Sequence, residues 1–328
     1  MKRALSFFFI SVLVIGLLSA CGSEDTGGST GSSGSDAGEE KIKIGASILT
    51  QSHPFYVAIK EEMEKEAETQ NVDLTVSIAD QDLNRQISAI EDFINSGVDV
   101  IIITPVDSDG VRGAVIKAQE ANIPVVTVDI SANGVEVDSH IATDNFTGGM
   151  IAAEAMAQFL GEDGEVGLIT YPEVQSVRDR IDGFKRIADT YSNLDIVTEL
   201  PGRTREEAKN ASEDMLTSNS NLDGIFGFGD DMAIAATAAI SERNSDALVV
   251  GFDGLEEARN SVDNENAFKA VVVQFPDKMG SEGILNAIKL AKGETVEKLI
   301  PITPGLYVFG KGFVDVSVEN DKVTIDLN

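Results

Sequence analysis

Apolar positions along this chain follow two rhythms that take turns. Short runs, apolar throughout or at every second position, occur at 42–46, 72–78, 98–103, 123–128, 139–143, 165–169, 194–200, 223–228, 247–252 and 269–273. Such runs read as strands. Between them, apolar residues recur three or four apart, as on one face of a helix, at 54–69, 84–95, 109–121, 147–160, 176–190, 205–217, 230–242, 255–263 and 277–292. In the second of these, Ile87, Ile90 and Ile94 share a face, and Gly97 marks the stop. Strand and helix in strict alternation predict parallel pairing through right-handed crossovers, hence an α/β fold with a doubly wound parallel sheet. The rhythm runs through twice, which predicts two similar lobes. Turn residues follow several strands, at Thr50-Gln51-Ser52, Asp80-Gln81-Asp82, Gly229-Asp230 and Asp253-Gly254. In open parallel sheets the ligand crevice lies beyond those carboxyl ends. The tail at 305–328 alternates weakly about Glu319-Asn320-Asp321 and reads as a terminal hairpin.

The first forty residues are different material. Lys2 and Arg3 precede an apolar stretch at 4–18, too short for a membrane span and laid out as a secretory signal. It ends in Leu18-Ser19-Ala20-Cys21, with small residues where a peptidase cleft demands them. The segment resembles a bacterial lipoprotein signal: 1–20 is removed, and Cys21 becomes a lipidated N-terminus that anchors the chain outside the cytoplasm. Residues 22–40 are Gly, Ser, Thr, Asp and Glu with one Ala, a composition unable to bury a core. They read as a flexible leash with a reach of about 25 Å.

Charge and cysteine count narrow the function. The formal net charge is −30, which argues against clamping nucleic-acid phosphates or adhering to anionic lipid. Cys21 is the sole cysteine, so the mature fold has no disulfide, thiol nucleophile or cysteine-based zinc site. His53 and His140, the two histidines, lack metal-ligand spacing. No phosphate loop or nucleophile elbow occurs, and Gly227-Phe228-Gly229 lacks the third glycine of a dinucleotide fingerprint. Neither cofactor nor metal is expected.

A set of motifs then falls in order: Ser52-His53-Pro54-Phe55-Tyr56, Thr104-Pro105-Val106-Asp107-Ser108, Asn122-Ile123-Pro124-Val125-Val126, Ser139-His140-Ile141-Ala142-Thr143-Asp144-Asn145, Arg178-Asp179-Arg180 followed by Gly183-Phe184, Val250-Gly251-Phe252-Asp253-Gly254, and Gln274-Phe275-Pro276. With these, residues 41 to about 303 resemble the ribose-type periplasmic sugar-binding proteins, type I solute-binding proteins of ABC importers. The same core occurs in the ligand-binding domains of lactose-repressor-like transcription factors. The resemblance implies two lobes joined by three crossings. The expected division is 41–143 plus 276–303 for the first lobe and 144–275 plus 304–328 for the second. It also implies a monomer that closes on a small ligand and delivers it to an importer permease.

The residues support a sugar site on their own chemistry. A sugar offers adjacent hydroxyls and apolar C–H faces, so it needs aromatic surfaces and groups that hold two hydroxyls at once. Phe55 and Tyr56 stand beside Pro54 at a helix start, for stacking or as a hydrophobic staple. Asp129 and Asp253 each follow an apolar strand, where a carboxylate can accept from two hydroxyls; a capping or turn aspartate is the plainer role. Arg178 can donate to two adjacent oxygens, or pair with Asp179 or Asp182 in solvent. Gln274, at a crossing, can donate and accept. His53, Asp144 and Thr204 complete the expected ligand set. The chain departs from the ribose pattern at four places: His53 for the usual Asn, Ile130 for Arg, Thr204 near an expected aromatic wall and Gly229 for Asn. Those losses leave the sugar open.

Three other readings share parts of this pattern. A sensor that shows its closed form to a membrane receptor has the same fold. A transcription factor needs an N-terminal helix-turn-helix, where this chain carries a signal and a leash. A glycoside hydrolase could pair Asp129 with Asp253, although binding alone accounts for both.

Overall fold

The computed structural model describes residues 41–264 and 267–327. The signal, Cys21 and the leash lie outside the described residues. The first lobe runs β1 (Lys43–Ile48), α1 (Pro54–Thr69), β2 (Asp73–Ile78), α2 (Leu83–Ser96), β3 (Val100–Ile103), α3 (Arg112–Glu120), β4 (Val125–Val128) and β5 (Ser139–Thr143). The second follows with α4 (Asn145–Leu160), β6 (Asp163–Thr170), α5 (Gln175–Ala188), β7 (Asn193–Pro201), α6 (Arg205–Ser218), β8 (Leu222–Gly227), α7 (Asp230–Arg243), β9 (Leu248–Asp253), α8 (Glu256–Asn264) and β10 (Phe268–Val273). The chain then returns through α9 (Pro276–Ala291) and β11 (Leu299–Ile302) and ends in β12 (Gly305–Val308), β13 (Gly312–Val314), β14 (Val316–Glu319) and β15 (Lys322–Ile325).

The strands form two main sheets, in the orders β11-β5-β4-β3-β1-β2 and β13-β12-β10-β9-β8-β6-β7. Pairing is parallel throughout the first sheet. In the second it is parallel from β6 to β10, and β12 and β13 add antiparallel. The central strands β3 and β4 are buried along their whole length, as sheets covered by helices on both faces require. Both lobes belong to one compact unit.

Local chemistry sets the helix ends. Asp82 caps α2 by accepting from the backbone N–H groups of Asn84 and Arg85 at 2.8 and 3.2 Å, and Gly97 closes it with a left-handed φ of 69°. In the second lobe α4 and α5 cross at glycines. A Cβ on Gly149 would lie 1.9 Å from the carbonyl oxygen of Arg180, and one on Gly183 would lie 2.0 Å from that of Phe146. The two backbones therefore touch, and the crossing fixes where α5 presents Arg180.

Three crossings join the lobes, at β5 to α4, β10 to α9 and β11 to β12. They are tied to one another. The Asp144 backbone N–H donates to the Ile302 carbonyl at 3.0 Å, and the Thr143 hydroxyl donates to Gln274 Oε1 at 2.5 Å.

The tail hairpin forms as β14 and β15, turning through Asn320 and Asp321 at φ 51° and 59°. Three strands go beyond the sequence pattern. β11 carries Pro301 and sits at a sheet edge, where a missing N–H is tolerated, and β12 and β13 are too short to show a period.

The α4–α5 crossing yields a test of opposite signs. Gly149→Ala drives a methyl group into backbone that cannot rotate away, and should cost at least about 2 kcal/mol. Gly113→Ala, exposed in the first turn of α3 with nothing within 4 Å of its Cβ, should be neutral or gain up to about 1 kcal/mol. Urea denaturation of both variants checks this; equal effects would contradict the packing account.

Candidate functional site

Two strand ends supply the opposed acids of the cleft. Asp129 follows β4 at φ 67°, its N–H held by the Ile141 carbonyl at 2.8 Å. Asp253 ends β9 at φ 94°, its carbonyl accepting from the Gln274 N–H at 3.0 Å. Non-glycine residues rarely adopt positive φ, and such backbone persists only where its surroundings hold it. Both acids thus bend over the carboxyl ends of their sheets, one in each lobe.

Hydrogen bonds fix how each carboxylate is presented. The Tyr56 hydroxyl donates to Asp129 Oδ2 at 2.8 Å. Asp253 Oδ1 accepts from Gln274 Nε2 at 2.6 Å and from Arg180 Nη1 at 2.9 Å. Arg180 is 7% exposed. It also donates through Nη1 to the Phe228 carbonyl at 2.6 Å and through Nε to Asn145 Oδ1 at 2.8 Å. Its guanidinium carbon lies 3.8 Å from the centre of the Phe252 ring. Behind Asp253, the buried Asp230 accepts from the N–H groups of Gly254 and Leu255 at 2.9 and 2.8 Å.

The crowding of acids shows in their proton affinities. Burial pushes the Asp129 carboxyl up to about 6, against the Tyr56 hydrogen bond and Arg180, with Asp253 adding to the rise. Burial likewise raises the Tyr56 phenol well above its ordinary range, with the charge of Asp129 next in importance. Asp230 is raised well above the carboxylate range by burial and then by Asp253, against its two backbone donors.

The structure brings Tyr56, Asp129, Asp253 and Gln274 together. It places the other expected residues differently. Phe55 is 5% exposed and packs in the first lobe's core with Ile59 and Met63, so it serves the fold rather than offering a stacking face. His53 is an exposed N-cap of α1, its Nδ1 accepting from the Phe55 N–H at 3.3 Å, with its ring 6.0 Å from that of Tyr56. Asp144 caps α4, accepting from the Thr147 N–H at 3.0 Å and hydroxyl at 2.7 Å. Thr204 caps α6 through the Glu207 N–H at 3.2 Å. Arg178 stands in the first turn of α5 and donates to the Pro172 carbonyl and Gln175 Oε1, outside the buried network. His140, half-buried on β5, has Nδ1 2.9 Å from the Thr127 hydroxyl.

Sequence reasoning missed Arg180, Asn145 and the Thr143 hydroxyl. A signal for Arg180 exists. Val177, Ile181, Phe184 and Ala188 form the buried stripe of α5, and Arg180 falls on it, whereas Arg178 falls off it. A charged residue on an apolar stripe needs a buried partner. Beside Thr204 in the chain, the Arg203 guanidinium carbon lies 6.0 Å from the centre of the Tyr171 ring, which follows β6.

Two doubly wound lobes, three mutually bonded crossings and an acid from each lobe at the strand ends define a two-lobed ligand clamp. The sequence pattern of the family described as periplasmic binding protein domain matches residues 44–295. The chain belongs to this family. It is 34% identical to the ribose import binding protein of Bacillus subtilis (strain 168) over 303 residues, 92% of this chain and 97% of that one. An ABC transporter periplasmic solute binding protein from Actinobacillus succinogenes 130z, solved with bound D-allose, superposes with a TM-score of 0.74 at 27% identity, covering 81% of this chain and 97% of that one. A carbohydrate transporter solute binding protein from Agrobacterium radiobacter, in complex with D-arabinose, gives 0.72 at 26% identity over 82% and 95%.

Asp129 makes a pH prediction. Between its ordinary value of 3.8 and about 6, the folded protein keeps a proton on Asp129 that the unfolded chain has released. The stability of the ligand-free protein therefore falls as pH rises through that window, by about 2–3 kcal/mol from this group. Asp129→Asn should remove that part of the slope. Melting curves of the two proteins across this range that ran parallel would count against it.

Proposed function

We propose that the protein captures a monosaccharide between its lobes and delivers it to an ABC-type membrane importer. One observation carries this reading: Asp129 and Asp253, one from each lobe, stand at strand ends with part of each carboxylate engaged by the protein. A carboxylate so placed accepts from the adjacent hydroxyls of a polyol. The relatives' names and bound ligands, ribose, D-allose and D-arabinose, point the same way. Ligand meets one lobe first, and closure adds the second acid, so ligand shifts the population toward the closed form. We take the lobes as 41–143 with 276–303 and 144–275 with 304–328, the expected division. Arg178, in the first turn of α5, would exchange its bonds to the Pro172 carbonyl and Gln175 Oε1 for oxygens of a ligand that enters. Binding needs no covalent step, and we read none.

We also infer that Cys21 carries lipid and that the 22–40 leash holds the clamp at the outer face of a membrane. The Leu18-Ser19-Ala20-Cys21 run supports this. The departures at His53, Ile130, Thr204 and Gly229 change the donors around the ligand and set its identity apart from ribose as the default.

A thermal-shift screen tests the proposal. At about a hundred times its dissociation constant, a ligand stabilises by about 2.7 kcal/mol, a rise of roughly 4–5 °C for a fold of this size. D-ribose, D-allose, D-arabinose or another sugar should produce it, and Asp129→Ala, Asp253→Ala and Arg178→Ala should each abolish it. Shifts from amino acids or nucleosides, with none from sugars, would refute the substrate class.

A further inference from the structure

The second crossing puts two unlike side chains next to each other. Gln274 turns into the cleft, where it donates to Asp253 Oδ1 and accepts from the Thr143 hydroxyl. Phe275 follows it with an extended φ of −119°, so its ring leaves the chain on the opposite side. Among the described residues this half-buried ring is the one apolar side chain packed against the cores of both lobes. The third crossing lies against it. A Cβ on Gly305 would stand 3.0 Å from Cζ of the ring and 4.0 Å from Cδ1 of Phe313. Gly305 pairs with Val273 in antiparallel register, and its φ is not left-handed. The backbone therefore does not call for glycine there; its effect is to leave room for the ring. Phe313 is 57% exposed, and the exposed Lys278 holds its ammonium 4.1 Å from the centre of the Phe275 ring. This side of the joint thus faces solvent, away from the cleft.

We propose that Phe275 is the pivot of the clamp, and that its fit against Gly305 sets how readily the lobes close. Rotation of one lobe against the other must turn both cores about a ring that touches each. The ring lies behind the cleft, so volume added beside it spreads the back of the joint and tips the cleft shut. Volume removed lets the back settle and the cleft open. The groups that meet the ligand stay the same in either case. The pivot therefore changes the share of molecules ready to close and not the contacts made after closure. Such a shift multiplies the affinity for every ligand by one common factor, whereas loss of a contact in the cleft affects different ligands unequally. The inference rests on the proposed closure around a ligand, but not on that ligand being a sugar.

Three variants test this: Gly305→Ala, Phe275→Leu and Phe275→Ala. Each carries Cys21→Ser and labels on Glu120→Cys and Glu206→Cys, exposed positions in the first and second lobes. Without ligand, energy transfer in Gly305→Ala and in Phe275→Ala should move in opposite directions from that of the original protein, with Phe275→Leu between the original and Phe275→Ala. Calorimetric titration with D-ribose, D-allose and D-arabinose supplies the second readout. Gly305→Ala should tighten binding by about threefold and Phe275→Ala should weaken it by about tenfold, by the same factor for each sugar that binds. Should Phe275→Ala fail to fold, Gly305→Ala and Phe275→Leu carry the comparison. A ring that only fills space would lower the melting temperature and leave energy transfer and affinity in place, and that result would overturn the proposal. Shifts in one direction for both kinds of variant, or factors that differ from sugar to sugar, would also overturn it. If the original protein binds none of the three, the sugar reading suffers, while energy transfer without ligand still decides the role of Phe275.

Discussion

An acid cannot be held at the bottom of a cleft without something to hold it, and here that is the Arg180–Asp253 pair. The pair is 8% and 23% exposed in its side chains, with 2.9 Å between charges. Breaking such a pair leaves a charge stranded, at a cost far above that of a surface ion pair. Much else in the second lobe serves it. The Gly149–Gly183 crossing brings α5 close enough, the Phe252 ring floors the guanidinium, and the Phe228 carbonyl takes a further donor. The surface pairs elsewhere, such as Lys117 with Glu91 or Lys185 with Glu199, are half in solvent and contribute little by comparison.

The first lobe solves the same problem with weaker means. Asp129 has a phenol for its hydrogen-bond partner and Ile130 as its chain neighbour, and Arg180 acts on it through charge alone. Burial raises its proton affinity to about 6, so its charge changes with pH in that range. One lobe thus offers a permanently paired acid and the other an acid that waits for donors. A ligand's hydroxyls supply those donors on closure. The hinge bonds, Asp144 to Ile302 and Thr143 to Gln274, keep the three crossings acting as one joint.

The alternation of periods was enough to read both doubly wound lobes, because each strand and helix has its own local signal. Helix α1 was legible to the residue, since Pro54 pre-sets its start and His53 caps it. Strand β11 was not, because four residues with a proline carry no period; its place at a sheet edge is decided by β5. Within the site, Asp129, Asp253, Tyr56 and Gln274 were legible as polar residues at strand ends, a helix start and a crossing. Asp144 and Thr204 show the ambiguity of that logic: the oxygens that hold sugars also cap helices, and spacing does not separate the two. Arg178 and Arg180 differ by about 200° around α5. The motif named both, and only the buried stripe tells which one reaches Asp253.

The central claim is that a sugar draws the two lobes together through Asp129 and Asp253. Labels on Glu120→Cys in the first lobe and Glu206→Cys in the second, with Cys21→Ser so that no other thiol reacts, report it directly. Energy transfer between them should change to a new, saturable value as D-ribose, D-allose or D-arabinose is added, and Asp253→Ala should abolish the change. A sugar that binds tightly while the distance stays fixed would contradict the account.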